Sequence, residues 1–420
     1  MKLRTINKFF QKKELERVEL ENKKRIFSSR ALLGEDLELQ KNVIIEIKNG
    51  EIVHISRNVK EKEIEEIKAK NRYNNCIIIP GFINGHTHIG DSFAKELGFD
   101  LEIDKIVQAP KGLKHYLLNT MDKEIIIEGM KNTFLEMIYS GITTFVDFRE
   151  NGMKGIKLLQ EAESRFKNSY PKIELGKVIL GRPKAEIDEL DDILEQCDGA
   201  GFGSTNKYSD EQLKLIKEKC QKHNKIISVH VSETKKEHLR AEQEFGSSDV
   251  YRAILLLNAN PIVHAIHIDK RDFTLIKTKD ISIVVCPRAN SYLGVGFPPI
   301  QEFINENIPV CIGTDNVMLN SLNIFREFEY IIKYLRSVFG PEIIEPVEVM
   351  KMASVYPAKI YGLANKGSID LEKRADLIVI NLESPHLQPV HKIYETLTLR
   401  AGPRDIKAVY LGGIKFAEIQ

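Results

Sequence analysis

Tryptophan is absent from this chain, and cysteine is sparse and scattered. The five thiols, Cys76, Cys197, Cys220, Cys286 and Cys311, are odd in number and form no C-x-x-C pair. That excludes a disulfide scaffold and a thiolate zinc site and suits a reducing compartment. No apolar run reaches the roughly 18 to 20 residues of a membrane span, and the charged N-terminus lacks a secretory apolar segment. A cytoplasmic location is therefore expected. Charge of one sign is lacking too: 61 Lys and Arg stand against 60 Asp and Glu. No nucleic-acid or membrane footprint shows at whole-chain level.

What is present is a soluble globular composition. Over 420 residues, 42% are apolar and 29% charged, enough to bury a sizeable core in one large domain with an attachment, or in two to three domains. Residues 1–23 are charged and read as a surface helix or loose arm. The stretch 24–77 holds short strand-like runs, among them "KNVIIEIKNGEIVHISRN", a hairpin with Asn49-Gly50 at its turn. The Lys/Glu run from Lys60 to Lys70 reads as a solvated helix face. Residues 367–420 return to short strands with turn residues, so both chain ends are expected to meet in one small β-sandwich domain.

Between them, over 78–366, the rhythm changes. Eight buried-strand runs, "IIIPGFING", "GITTFVDF", "IELGKVILG", "DGAGFGS", "KIISVHVSE", "NPIVHAIHI", "DISIVVCPRAN" and "IPVCIGTDN", alternate with segments of helical period. One such segment starts at Asp122 and stops at Gly141. In another, Asp210 is the expected N-cap, with Leu213, Ile216 and Cys220 on one face. Eight β/α units predict an α/β fold, a (β/α)8 TIM barrel. A doubly wound sheet would want a Gly-rich phosphate loop after its first strand, and "GFINGHTHIG" is not one.

Barrel enzymes build their sites at the C-terminal ends of the strands. There the first run carries His86 and His88, the fifth His230 with Glu233 three residues on, the sixth His264 and His267, and the eighth Asp315. Side chains at i and i+2 of a strand share a face, so His86 and His88 can reach one ion. His264 and His267, three apart, cannot; the second is expected to start the following loop. His115, His223 and His238 lie in helical or loop segments and read as ordinary core or surface residues.

The ordered set "PGFINGHTH", "SVHVSE", "VHAIH", "CPRAN" and "GTDN" resembles the amidohydrolase superfamily, in particular the branch of cytosine, guanine and adenosine-type deaminases and triazine hydrolases. The resemblance spans essentially the whole chain and implies that His86, His88, His230 and Asp315 bind a single divalent ion. Such a donor set suits Zn²⁺ first, with Fe²⁺ as the other candidate. Water on such an ion has its pKa lowered from about 16 towards 7. By the same resemblance Asp315 takes the water's proton, Glu233 relays protons to a ring nitrogen and the leaving amine, and His264 polarises the attacked centre. Two-metal relatives place a carboxylated lysine at the end of the fourth strand; here Gly203 and Ser204 stand there, and Lys207 beyond them reads as a solvated loop residue. The H-x-E and P-C-x-x-C signature of base-flipping zinc deaminases is missing as well.

The expected function is thus mononuclear metal-dependent hydrolysis of a C–N bond, most simply deamination of an amino-substituted N-heterocycle or nucleoside-like compound. Hydrolysis of a cyclic amide or N-acyl compound is the second reading. A non-catalytic scaffold is the third, disfavoured because no ligand position is missing. The partner is a small molecule, without nucleic acid or membrane, and a homo-oligomer is allowed. For substrate contacts the candidates are Asp91, Ser92, Arg149, Arg182, Arg288, Asn290 and His267, with Lys111 and Lys114 nearby. Three converging guanidiniums would favour a carboxylate or phosphate; the competing reading pairs each with a structural acid. Val285 stands where many relatives carry a substrate-touching histidine, and Ala289 replaces a common serine beside Asn290.

Overall fold

A computed structural model describes residues 23–108, 111–184 and 187–416. The expected charged arm lies outside the described residues, except for Lys23. Strands β1 (Lys23–Leu33), β2 (Glu38–Lys48), β3 (Glu51–Ser56) and β4 (Arg72–Pro80) open the chain. The barrel strands follow: β5 (Phe82–His88), β6 (Ile142–Arg149), β7 (Gly176–Gly181), β8 (Gly199–Phe202), β9 (Ile226–Val231), β10 (Ile262–His264), β11 (Ile283–Val285), β12 (Val310–Ile312) and β13 (Asp315–Asn316). The last three, β14 (Leu377–Asn381), β15 (Ile406–Leu411) and β16 (Ile414–Phe416), lie near the C-terminal end.

Both ends do share one sheet, in the order β16-β15-β14-β4-β1-β2-β3. Alternate side chains such as Ile26, Val43, Ile45, Ile78, Leu377 and Val379 make its own buried cluster. The β2–β3 hairpin turns at Asn49 and Gly50, whose φ values of 53° and 86° are those of an Asn-Gly turn matched to strand twist.

The second sheet runs β12-β11-β10-β9-β8-β7-β6-β5-β13, every pairing parallel. β12 and β13 are two pieces of the eighth strand. The first pairs with β11, and the second with β5, bringing Asp315 opposite Thr87 and Asn316 opposite His88, so the barrel closes. Val146, Phe148, Val178, Leu180, Val263, Val284 and Cys311 fill its interior, and the helices cover the outside. The helix Lys123–Tyr139 begins as expected, with Asp122 Oδ1 accepting from the Glu124 amide at 2.8 Å.

Two expectations need correction. The run "IIIPGFING" is not one barrel strand: Ile77–Pro80 belong to β4, antiparallel to β14 in the small sheet, and only Phe82 onwards enters the barrel. Both pieces are buried on both faces, so hydrophobicity is continuous across the handover and carries no mark of it. The helix Asp210–Lys222 is capped by Ser209 rather than Asp210. The Gln212 amide donates to Ser209 Oγ (3.2 Å) and the Ser209 amide to Gln212 Oε1 (2.8 Å), while the Asp210 carboxylate receives Arg252 Nε at 3.1 Å.

Candidate metal and catalytic site

The tips of β5, β9 and the eighth strand converge. His88 Nε2 lies 3.3 Å from His230 Nε2, and His230 Nε2 lies 3.2 Å from His86 Nε2. Asp315 Oδ1 stands 3.5 Å from His86 Nε2 and 3.4 Å from His88 Nε2. A tetrahedral ion with ligands at 2.0–2.1 Å needs donor atoms about 3.3 to 3.4 Å apart, which is the spacing observed. The donors are also in the right charge state. Burial lowers His86 to about 4 and His230 well below its ordinary range, so both imidazoles are neutral at pH 7. Burial would push the Asp315 carboxyl up, but the surrounding imidazoles hold it below the usual carboxylate range. Cys286 also comes near Asp315 and His264, but burial raises its thiol far above neutrality, so it offers no thiolate. The three imidazoles and one carboxylate fit a divalent ion.

Backbone detail sets this geometry. A Cβ on Gly313 would sit 2.6 Å from His86 Cβ, so the glycine of "GTD" lets the eighth strand close against β5. Asn84 locks the same junction, donating to Thr314 Oγ1 (2.7 Å) and accepting from its amide (3.0 Å). Asp315 and His264 adopt φ of 62° and 73°, a left-handed conformation that costs roughly 1–3 kcal/mol for a side-chain-bearing residue and concentrates at functional sites.

Each imidazole but one is also held from behind. His230 Nδ1 donates to the Phe202 carbonyl at 2.8 Å, and His88 Nδ1 meets Glu150 Oε1 at 2.6 Å, leaving both Nε2 atoms for a metal. His86 Nδ1 is buried without a hydrogen-bond partner; its ring is held by packing 4.4 Å from Phe148. His264 Nδ1 lies 3.0 Å from Asn290 Oδ1, which directs Nε2 towards Glu233 Oε1 at 3.6 Å. Burial raises the Glu233 carboxyl above its ordinary value.

A narrow cleft opens on this cluster, lined by His88, His230, Glu233, His264, Asp315 and Asn316 together with Lys114, Arg182, Gly203 and Lys207. Of the seven residues expected to touch substrate, Arg182 alone lines it. Arg149 points elsewhere, 3.4 Å from Asp147 and 3.1 Å from Glu150. Arg288 pairs with Glu327 at 3.4 Å. The three guanidiniums do not converge, because two meet buried acids that their own folding environment supplies. Asp91 is spent internally, accepting from Asn316 Nδ2 at 2.7 Å and the Met318 amide at 3.0 Å. Ser92 is buried close to Gly129 of the helix Lys123–Tyr139. His267 lies past the end of β10 and donates from Nε2 to the Val295 carbonyl at 2.7 Å. Asn290 reaches the site only through His264.

Sequence reasoning overlooked Glu150, adjacent to Arg149 in "DFREN", and gave Lys114 no partner. Lys114 is buried and bridges Glu150 and Asp91 (3.5 Å to the latter). Nothing in a single sequence marks such a pair, whose members are 36 positions apart on a loop helix and a strand end. Lys207 does end the loop turn Thr205–Lys207 and is exposed, but it also lines the cleft.

A closed β/α barrel whose strand tips hold three imidazoles and a carboxylate at ligand spacing defines a class, the barrel metallohydrolases. Within it, this chain belongs to the amidohydrolase family, whose profile matches residues 77–415. It is therefore a hydrolase of carbon–nitrogen bonds. The uncharacterized protein MJ0699 of Methanocaldococcus jannaschii is 37% identical over 354 residues, 82% of this chain and 87% of its own. A 5-methylthioadenosine/S-adenosylhomocysteine deaminase of Pyrococcus horikoshii is 29% identical over 383 residues, 87% of this chain and 88% of its own. In fold, the chain matches a zinc-bound adenosine deaminase of Xanthomonas campestris with TM-score 0.75 at 17% identity, covering 93% and 92% of the two chains. No helix among the described residues is long and apolar enough to cross a membrane.

Proposed function

We propose that the protein is a mononuclear deaminase of an amino-substituted N-heterocycle, with His86, His88, His230 and Asp315 holding one ion, Zn²⁺ before Fe²⁺. Both metals accept this donor set; zinc in the Xanthomonas enzyme favours the first. When bound, the ion supplies Lewis acidity that makes water a competent nucleophile at neutral pH.

The rest falls to side chains. Asp315 accepts a proton from the attacking water. Glu233 hands a proton to the ring nitrogen beside the amine-bearing carbon, takes up the proton of the added hydroxyl as the carbonyl forms and passes it to the leaving amine, and is reset by the proton that Asp315 took. His264, oriented by Asn290, stands beside Glu233 to polarise the attacked carbon. The observation that carries this reading is the Glu233–His264 pair standing in one cleft with four converging ligands. The deaminase named among the relatives supports it. Five free, buried thiols fit a cytoplasmic setting.

The test is ammonia release by metal-loaded protein from purine, pyrimidine and pterin amines. Product mass distinguishes the outcomes: an amine exchanged for a carbonyl oxygen supports deamination, whereas gain of one water with ring opening replaces it by cyclic-amide hydrolysis.

A further inference from the structure

The cleft holds more positive charge than the proposed chemistry uses. Lys114, Arg182 and Lys207 line it beside Glu233, His264 and Asp315. Lys114 is neutralised by Glu150 and Asp91. Arg182 and Lys207 are not: among the described residues, neither has a carboxylate oxygen within 4.0 Å. The nearby Glu237 is turned away, its Oε2 accepting from Ser204 Oγ and Asn206 Nδ2, each at 3.0 Å.

Both cations line the same cleft as the proposed catalytic pair. A Cβ on Gly203 would lie 2.5 Å from Arg182 Nη2, so the guanidinium rests against the glycine that follows β8. Crowding by surrounding protein first and the Arg182 charge second lower Lys207 to about 8, against a smaller opposing pull from Glu237. Two like charges lining one substrate cleft, neither in an ion pair among the described residues, form a receptor for an anion.

Resting on the deaminase reading, we propose that Arg182 and Lys207 form a phosphate subsite, and that the substrate is an aminated heterocycle carrying a phosphomonoester. The charge count selects phosphate over carboxylate. A phosphomonoester brings about −1.5 to −2 at pH 7 and three acceptor oxygens; a carboxylate leaves one of the two cations uncompensated. The planar fork of Arg182 can bind two phosphate oxygens side by side while Lys207 acts as a point charge on the third.

Inorganic phosphate and acetate, titrated by calorimetry into the metal-loaded protein and its Arg182→Gln and Lys207→Gln variants, test the subsite without turnover. Phosphate should bind saturably and more tightly than acetate. Each substitution should weaken it about ten- to hundredfold, the range for one charge-assisted hydrogen bond. Phosphate binding that survives both substitutions lies elsewhere, on the metal for instance, and overturns the subsite; so does equal binding of acetate. Ammonia release from matched neutral, carboxylated and phosphorylated aminonucleosides then separates the two claims. Highest kcat/KM for the phosphorylated compound, with Arg182→Gln raising its KM more than that of the neutral one, supports the inference. Preference for the neutral or carboxylated compound overturns the inference and leaves the deaminase standing. Variant-sensitive phosphate binding without ammonia from any compound overturns the deaminase and leaves the subsite.

Discussion

Glu150 Oε1 lies 2.6 Å from Nδ1 of His88, with both side chains buried. Burial pushes this carboxyl up, but Lys114 and His88 outweigh it and hold Glu150 well below the usual carboxylate range. It therefore stays ionised behind the imidazole and holds the ring with Nε2 towards the cluster. Glu150→Gln should weaken metal binding roughly 10- to 100-fold, read as metal content after dialysis against a graded chelator series. Unchanged retention would show that His88 needs no carboxylate behind it.

Glu233 stands outside the group that could hold an ion, so the role proposed for it is separable from metal binding. Glu233→Gln should keep one equivalent of metal while turnover falls by roughly 10² to 10⁴, the usual worth of general acid–base help. Because Glu233 acts from its protonated form and burial raises this carboxyl, the basic limb of the wild-type kcat/KM profile should lie above the ordinary glutamate value of about 4.3. The limb should vanish with the residue.

Asn290 Oδ1 lies 3.0 Å from Nδ1 of His264, its one link to the proposed catalytic pair. Asn290→Ala should leave metal content intact and reduce kcat about tenfold or more, by the same logic as other groups that orient a catalytic imidazole. Loss of metal instead would move His264 from the catalytic group to the ligands.

Glu327 sits fully buried beneath the eighth strand, 3.4 Å from Arg288 and 3.0 Å from Asn320, and burial raises its carboxyl to about 7. The folded protein therefore holds a proton that the unfolded chain releases near 4.3. Its contribution to stability is full below that value and is lost as pH climbs from about 4.3 to 7. Melting temperatures between pH 5 and 8 should fall more steeply for the wild-type protein than for Glu327→Gln. Parallel slopes would assign the pH dependence to other groups.

Much of the architecture was written in one dimension. Parallel strands buried on both faces leave apolar runs that survive as a pattern, and eight of them announced the barrel. The i, i+2 spacing of His86 and His88 marked a shared face. The handover at Gly81 was invisible because both sheets demand the same apolar residues, and the cap at Ser209 was missed because Asp210 beside it is an equally good capping type.

What the sequence by itself determined is which donors end which strands, since that follows from strand period and barrel polarity. The partners of the charged side chains were decided only in three dimensions. Arg149, Arg182 and Arg288 all follow strand ends, yet two are claimed by buried acids, Asp147 with Glu150 and Glu327, and one lines the cleft. Long flexible side chains reach whatever charge the fold brings near. An isolated carboxylate or guanidinium is too costly to bury, so these pairings arise from tertiary proximity and leave no local periodicity to read.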